Sequence, residues 1–75
     1  MTHGTVVALG EPALVEGYRL VGAVVRAADT AAVVCEAWRD LPDGTVLVVL
    51  TSSAARALGP RALAPDAPLT VVIPS

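Results

Sequence analysis

Apolar residues along this chain come in short unbroken runs, set apart by glycine, proline and small polar residues, rather than in strict alternation with polar ones. Thr5-Val6-Val7-Ala8-Leu9 before Gly10, Ala23-Val24-Val25-Arg26, Thr45-Val46-Leu47-Val48-Val49-Leu50, and Leu69-Thr70-Val71-Val72-Ile73 before Pro74 are the four runs. Short, continuous, β-branched stretches of this kind predict strands covered on both faces. The third run is the strongest and predicts a central strand.

Between the runs the periodicity changes to that of helices. Glu11-Pro12 opens helix one, because proline lacks only an N–H that the first turn leaves unpaired and Glu11 complements the positive end of the dipole. On a helical wheel Leu14, Gly17, Tyr18 and Val21 share one face, Glu16 and Arg19 point outward, and Gly22 ends the helix. Asp29 is the expected N-cap of helix two, in which Thr30, Val34, Ala37, Trp38 and Leu41 form one face and Glu36, Arg39 and Asp40 the other. Pro42-Asp43-Gly44 breaks that helix with turn chemistry. Thr51-Ser52-Ser53 can cap a short third helix from Ala54 to Leu58, which Gly59-Pro60 stops, and Arg61 to Pro68 reads as a connector.

The resulting order is βαβαβαβ. It predicts an α/β fold: a small open parallel four-stranded sheet, strand order 2-1-3-4, with helices on both faces and strands two and four at the edges. At 75 residues the chain can hold one such domain, and a second is not expected within it.

Composition narrows the function. Hydrophobic residues make up 55% of the chain and charged residues 16%, which argues against disorder. The net charge is −2 and the basic residues are all arginine, so no basic stripe exists to neutralise a phosphate backbone and nucleic-acid binding is not expected. The single cysteine, Cys35, can form neither an internal disulfide nor a protein-only zinc site, which fits a reducing cytosol and a cytoplasmic protein. The start has no basic signal-like region, and no apolar run approaches the ~20 residues that cross a bilayer, so no direct membrane insertion is expected.

In an open parallel sheet, ligands bind beyond the carboxyl ends of the strands, where strand order reverses. That point falls at Gly10 and Glu11 beside Thr51 and Ser52. A dinucleotide fingerprint would need G-x-G-x-x-G after strand one, but Gly10-Glu11-Pro12-Ala13-Leu14-Val15 offers one glycine and an acid where pyrophosphate would sit. A phosphate-binding loop needs lysine, and the chain has none. A phosphoreceiver would need an acceptor aspartate where Thr51 stands. The hydroxyls of Thr51, Ser52 and Ser53 therefore read as helix caps. Cys35 has only His3, near the terminus, as an imidazole partner and reads as an inert thiol, Trp38 reads as core, and Glu36, Asp40 and Asp43 read as solvated surface. No catalytic residue, cofactor or metal is expected.

Leu9-Gly10-Glu11 followed by Gly17-Tyr18-Arg19-Leu20-Val21-Gly22 resembles the F subunits of the vacuolar/archaeal-type rotary ATPases. That family shows Ile/Leu-Gly-Asp/Glu at the end of strand one and then Gly-Phe-Arg-Leu-Ala-Gly. The Ala-rich second helix, the third strand ending in Thr51 and the finish at Val71 to Pro74 extend the likeness over nearly the whole chain. Beside it stands a physical reading of Gly17: a glycine within a helix costs about 1 kcal/mol relative to alanine, so close packing against that turn is expected.

The resemblance implies a non-catalytic component of the central rotor stalk that binds the stalk's coiled-coil subunit and aids coupling or regulation of ATP turnover. Gly10, Glu11, Arg19, Thr51 and Ser52 are the expected interface residues. The family usually continues into a C-terminal helix after the proline that closes the last strand, whereas this sequence corresponds to the globular head. Two other readings fit the same residues: a general α/β interaction module that self-associates through its sheet edges, and a degenerate receiver-like domain that uses the Gly10, Glu11, Thr51 and Ser52 end of the sheet.

Overall fold

The computed structural model describes residues 4–74 of the chain. Its elements are β1 (Thr5–Gly10), α1 (Pro12–Val15), β2 (Val24–Ala27), α2 (Ala31–Arg39), β3 (Thr45–Thr51), α3 (Ser52–Leu58) and β4 (Leu69–Ile73), with 3-10 turns over Glu16–Val21 and Gly59–Leu63. The four strands form one parallel sheet in the order β2-β1-β3-β4, as expected from the runs. Between Thr5 and Val6 the register slips from Thr45 to Leu47, so Val46 bulges out and is half exposed.

Side chains of successive strand residues alternate between two cores. On one face Val7, Leu9, Val48 and Leu50 are buried against Val34 of α2 and Ala54 and Leu58 of α3, with Trp38, Ala37 and Leu41 packed around them. On the other face Ala8 and Val49 are buried against Val15 of α1, with Val6, Tyr18, Val25 and Ile73 around them. Helices thus lie on both faces, but unequally. The first face carries two helices that touch each other, and the second only the α1 segment and the turn after it. That segment lies over β1 and β2, which leaves Leu69 and Val71 of β4 uncovered.

Helix one departs from its expected form. Only Pro12–Val15 is α-helical, and Glu16–Val21 winds tighter, at about three residues per turn. The inward positions therefore become Val15, Tyr18 and Val21 in place of Leu14, Gly17, Tyr18 and Val21. Burial falls along that row: Val15 is fully buried, Tyr18 half buried and Val21 78% exposed. The segment lifts away from the sheet toward its end, where Gly22 closes it with a φ of 88°, a left-handed conformation that glycine adopts without penalty.

Two local expectations are corrected. The space a Cβ on Gly17 would enter is empty to 4 Å, so nothing packs closely on that turn; Gly17 faces water. The cap of α2 is Thr30, whose hydroxyl accepts from the N–H of Val33 at 3.2 Å, in place of Asp29. Thr30 thereby leaves the buried face of α2 and is exposed. Helix three begins two residues earlier than expected because the Thr51 hydroxyl caps it, accepting from the N–H of Ala54 at 3.3 Å.

Candidate functional site

β1 and β3 are adjacent and parallel, so their last residues come side by side at the carboxyl end of the sheet. Gly10 ends β1 and Thr51 ends β3. A Cβ on Gly10 would collide with the Thr51 side chain, so glycine is what allows a fully buried threonine to stand there. The Gly10 carbonyl meanwhile accepts from the N–H of Ala28 at 2.8 Å, tying the exit of β1 to the exit of β2.

With Gly10 flat against Thr51, the next residue swings over the start of α3. One oxygen of the half-buried Glu11 carboxylate, Oε1, accepts two hydrogen bonds, from Thr51 Oγ1 at 2.6 Å and from Ser53 Oγ at 2.6 Å. The Ser53 hydroxyl, then the Thr51 hydroxyl, and to a lesser degree Glu11's own backbone and the positive charge of Arg56, hold this carboxyl below the ordinary glutamate range; desolvation opposes them. Thr51 Oγ1 is then both a donor, to Glu11, and an acceptor, from Ala54. Among the described residues no buried side-chain nitrogen or oxygen lacks a hydrogen-bond partner.

Ser52 turns the other way, and its hydroxyl donates to the carbonyl of Ile73 at 3.1 Å, binding the end of β4 to the start of α3. Gly10, Glu11, Thr51 and Ser52 thus meet at one end of the sheet, as expected. Arg19 does not join them. It lies on the 3-10 turn and pairs with Glu16 through its Nε at 3.1 Å and Nη2 at 3.2 Å, both side chains exposed.

Three residues at these places escaped the sequence reading. Ser53 was legible only as part of a hydroxyl run that serves caps, yet it is the second ligand of Glu11. Leu20 and Val21 are 91% and 78% exposed, an unusual state for neighbouring large apolar residues between two glycines. Beneath Val21 and Tyr18 lies an open cleft of about 570 Å³, whose floor includes Val6 and Val49. The cleft is lined mainly by apolar side chains, with Thr5 and Tyr18 adding hydroxyls, and lies away from the Glu11 cluster.

A smaller hollow of about 390 Å³ on the opposite side is lined in part by Cys35, Arg39 and Arg61. Cys35 is half buried there, and the Arg61 guanidinium donates to its sulfur at 2.7 Å. His3, the other partner considered for Cys35, lies outside the described residues.

The hydroxyls at the start of α3 that could meet an anion, those of Thr51 and Ser53, both donate to the chain's own Glu11 carboxylate. Among the described residues no helix is long and apolar enough to cross a membrane. Comparison with protein-family models and with curated proteins finds no match for this chain.

Proposed function

We propose that this protein is a non-catalytic docking component of the central stalk of a vacuolar/archaeal-type rotary ATPase, where it binds the stalk's coiled coil and aids coupling or regulation. The observation that carries the reading is the exposure of Leu20 and Val21 within the same Gly17–Gly22 segment that bears the resemblance to the F subunits of those enzymes. Two large side chains held in water by a glycine-bounded turn favour burial against a partner. Val21 also walls the cleft that runs under the turn to Val49, which gives a coiled coil a ridge and an adjoining groove to meet. On this reading the protein works in the cytoplasm and reaches the membrane only through the complex.

The polar cluster supports the same conclusion from the other side. A receiver-like or small-ligand domain needs hydroxyls free to hold a phosphate, and here Thr51 and Ser53 are both engaged by Glu11. Glu11, Thr51 and Ser52 tie the ends of β1, β3 and β4 to the start of α3.

The test is co-purification of the chain with the coiled-coil stalk subunit of a rotary ATPase at micromolar concentration. Binding that Leu20→Glu or Val21→Glu abolishes, with the fold unchanged by circular dichroism, supports the assignment. Absence of binding by the unaltered chain removes the stalk assignment. A rise in melting temperature with phosphate or nucleotide would move the reading to the receiver-like alternative.

A further inference from the structure

The two edges of the sheet are built differently. β2 is four residues long and displays the charged side chain of Arg26, the ordinary defence of an edge against strand pairing. β4 is longer and uncharged, and it exposes Leu69 to 75%, Val71 to 49% and Val72 to 53%. Nothing among the described residues lies against its outer side in the sheet order.

The direction of the free backbone groups follows from one hydrogen bond. The Ile73 carbonyl accepts from the hydroxyl of Ser52, the residue just after β3, so it points inward, toward the sheet. Backbone groups of alternate strand residues point to opposite sides. Leu69, Val71 and Ile73 therefore face β3, and Thr70 and Val72 present their N–H and C=O to the open edge. Pro68 and Pro74 share the parity of Thr70 and Val72 and have no N–H to offer. The outward ladder is thus confined to two residues with proline on either side.

We infer that β4 is a self-pairing edge, joined antiparallel to β4 of a second copy about a two-fold axis through Val71. In that register Thr70 of one copy and Val72 of the other exchange both of their backbone hydrogen bonds, twice over. Val71 meets Val71, and Leu69 meets Ile73, on the face that the α1 segment leaves bare. Each exposed apolar side chain gains an apolar or methyl-bearing neighbour, and no charge is brought near another. A second copy fits better than an unrelated strand because the same five residues complement themselves in this single register. The assembly stops at two copies, since the remaining outer edges are both the Arg26-bearing β2.

The pairing covers on the order of 400 Å² per copy, about half of what a standard stable interface buries, so the dimer is weak and reversible. It leaves Leu20 and Val21 uninvolved and holds whether or not a coiled coil docks there.

Sedimentation equilibrium from about 10 µM to 1 mM is expected to show the average mass rising from 7.6 kDa toward twice that value. Val71→Lys, which sets two ammonium groups face to face at the axis, is expected to weaken association at least tenfold, while Val33→Lys on α2 leaves it unchanged. Equal melting curves for the two variants separate lost pairing from lost folding. In a Cys35→Ser background, Val71→Cys is expected to oxidise to a covalent dimer, because facing residues of a non-hydrogen-bonded pair lie about 4.5 Å apart at Cα. Val72→Cys is expected not to do so, its symmetry mate lying about 7–8 Å away. A chain that stays monomeric to 1 mM, a dimer indifferent to Val71→Lys, or cross-linking at position 72 in place of 71 would each overturn the inference, as would assembly beyond two copies.

Discussion

Glu11 and Thr51 stand forty positions apart in the chain and are joined by a 2.6 Å hydrogen bond across the ends of β1 and β3. The threonine hydroxyl that donates to the carboxylate also accepts from the N–H of Ala54, so one oxygen links the exit of β1, the exit of β3 and the first turn of α3. Its residue is fully buried, which makes the loss of either bond costly.

Replacing Thr51 by valine keeps the shape and removes both bonds. The expected loss is about 1–3 kcal/mol, combining a missing helix cap with a buried N–H left unpaired. Thr51→Ser, which keeps the hydroxyl, should cost less. Urea denaturation of the two variants beside the parent measures the difference, and equal losses would show that the methyl group, not the hydroxyl, matters at this position.

The Glu11 carboxyl gives the fold an acid limit. Its folded pKa is lowered, chiefly by Ser53 and then Thr51, so as the pH drops the unfolded chain takes up the proton first. The stability this group supplies is complete above about pH 5, and is lost as the pH falls through the unfolded value near 4.3 and on through the lower folded one. Melting temperatures between pH 3 and pH 7 should show a shallower acid decline for Glu11→Gln than for the parent. Glu16, whose carboxyl is also lowered by its exposed Arg19 partner, serves as the comparison. Glu16→Gln should leave nearly all of the decline in place, because exposed pairs are screened by water and salt.

Two glycines in the same stretch should respond in opposite ways to alanine. At Gly10 the added methyl strikes the buried Thr51, and the backbone φ of 155° suits an L-residue poorly, so a loss of about 2–3 kcal/mol is expected. At Gly17 the methyl enters open solvent, and alanine restricts the unfolded chain, for an expected gain of about 0.4–1 kcal/mol. A destabilised Gly17→Ala chain would mean that this turn is held by something other than its own backbone.

At the start of α2, Thr30→Ala removes the side-chain oxygen that accepts from Val33 and should cost about 1 kcal/mol. Asp29→Ala removes an exposed side chain from the preceding loop and should change stability by less than about 0.5 kcal/mol. Thermal denaturation of both variants decides which residue caps the helix in solution.

Much of this architecture is written in local pattern. Unbroken β-branched runs such as Val46 to Leu50 favour strands, and four of them separated by helix-length segments leave a parallel sheet as the economical solution, although β4 proves bare on one face. The expected strand order is the one observed, and given that order Gly10, Glu11, Thr51 and Ser52 meet, since in a parallel sheet the ends of adjacent strands lie together. These are consequences of chain connectivity and of the need to bury apolar surface.

What local pattern could not supply is how far each element reaches and what is left uncovered. Whether residues after Val15 wind at 3.6 or three per turn depends on how the turn meets β1 and β2. That choice turns Gly17 out into water, and only the packed sheet shows Val21, at the end of the inward row, left exposed. The choice of Thr30 over Asp29, and of Ser53 as a partner for Glu11, rests on backbone directions set only once α2 and α3 dock on the sheet. The contrast between a charged β2 edge and a bare β4 edge likewise arises only in the assembled sheet. Burial is a property of the whole packed chain, whereas the preference for strand or helix belongs to a few residues at a time.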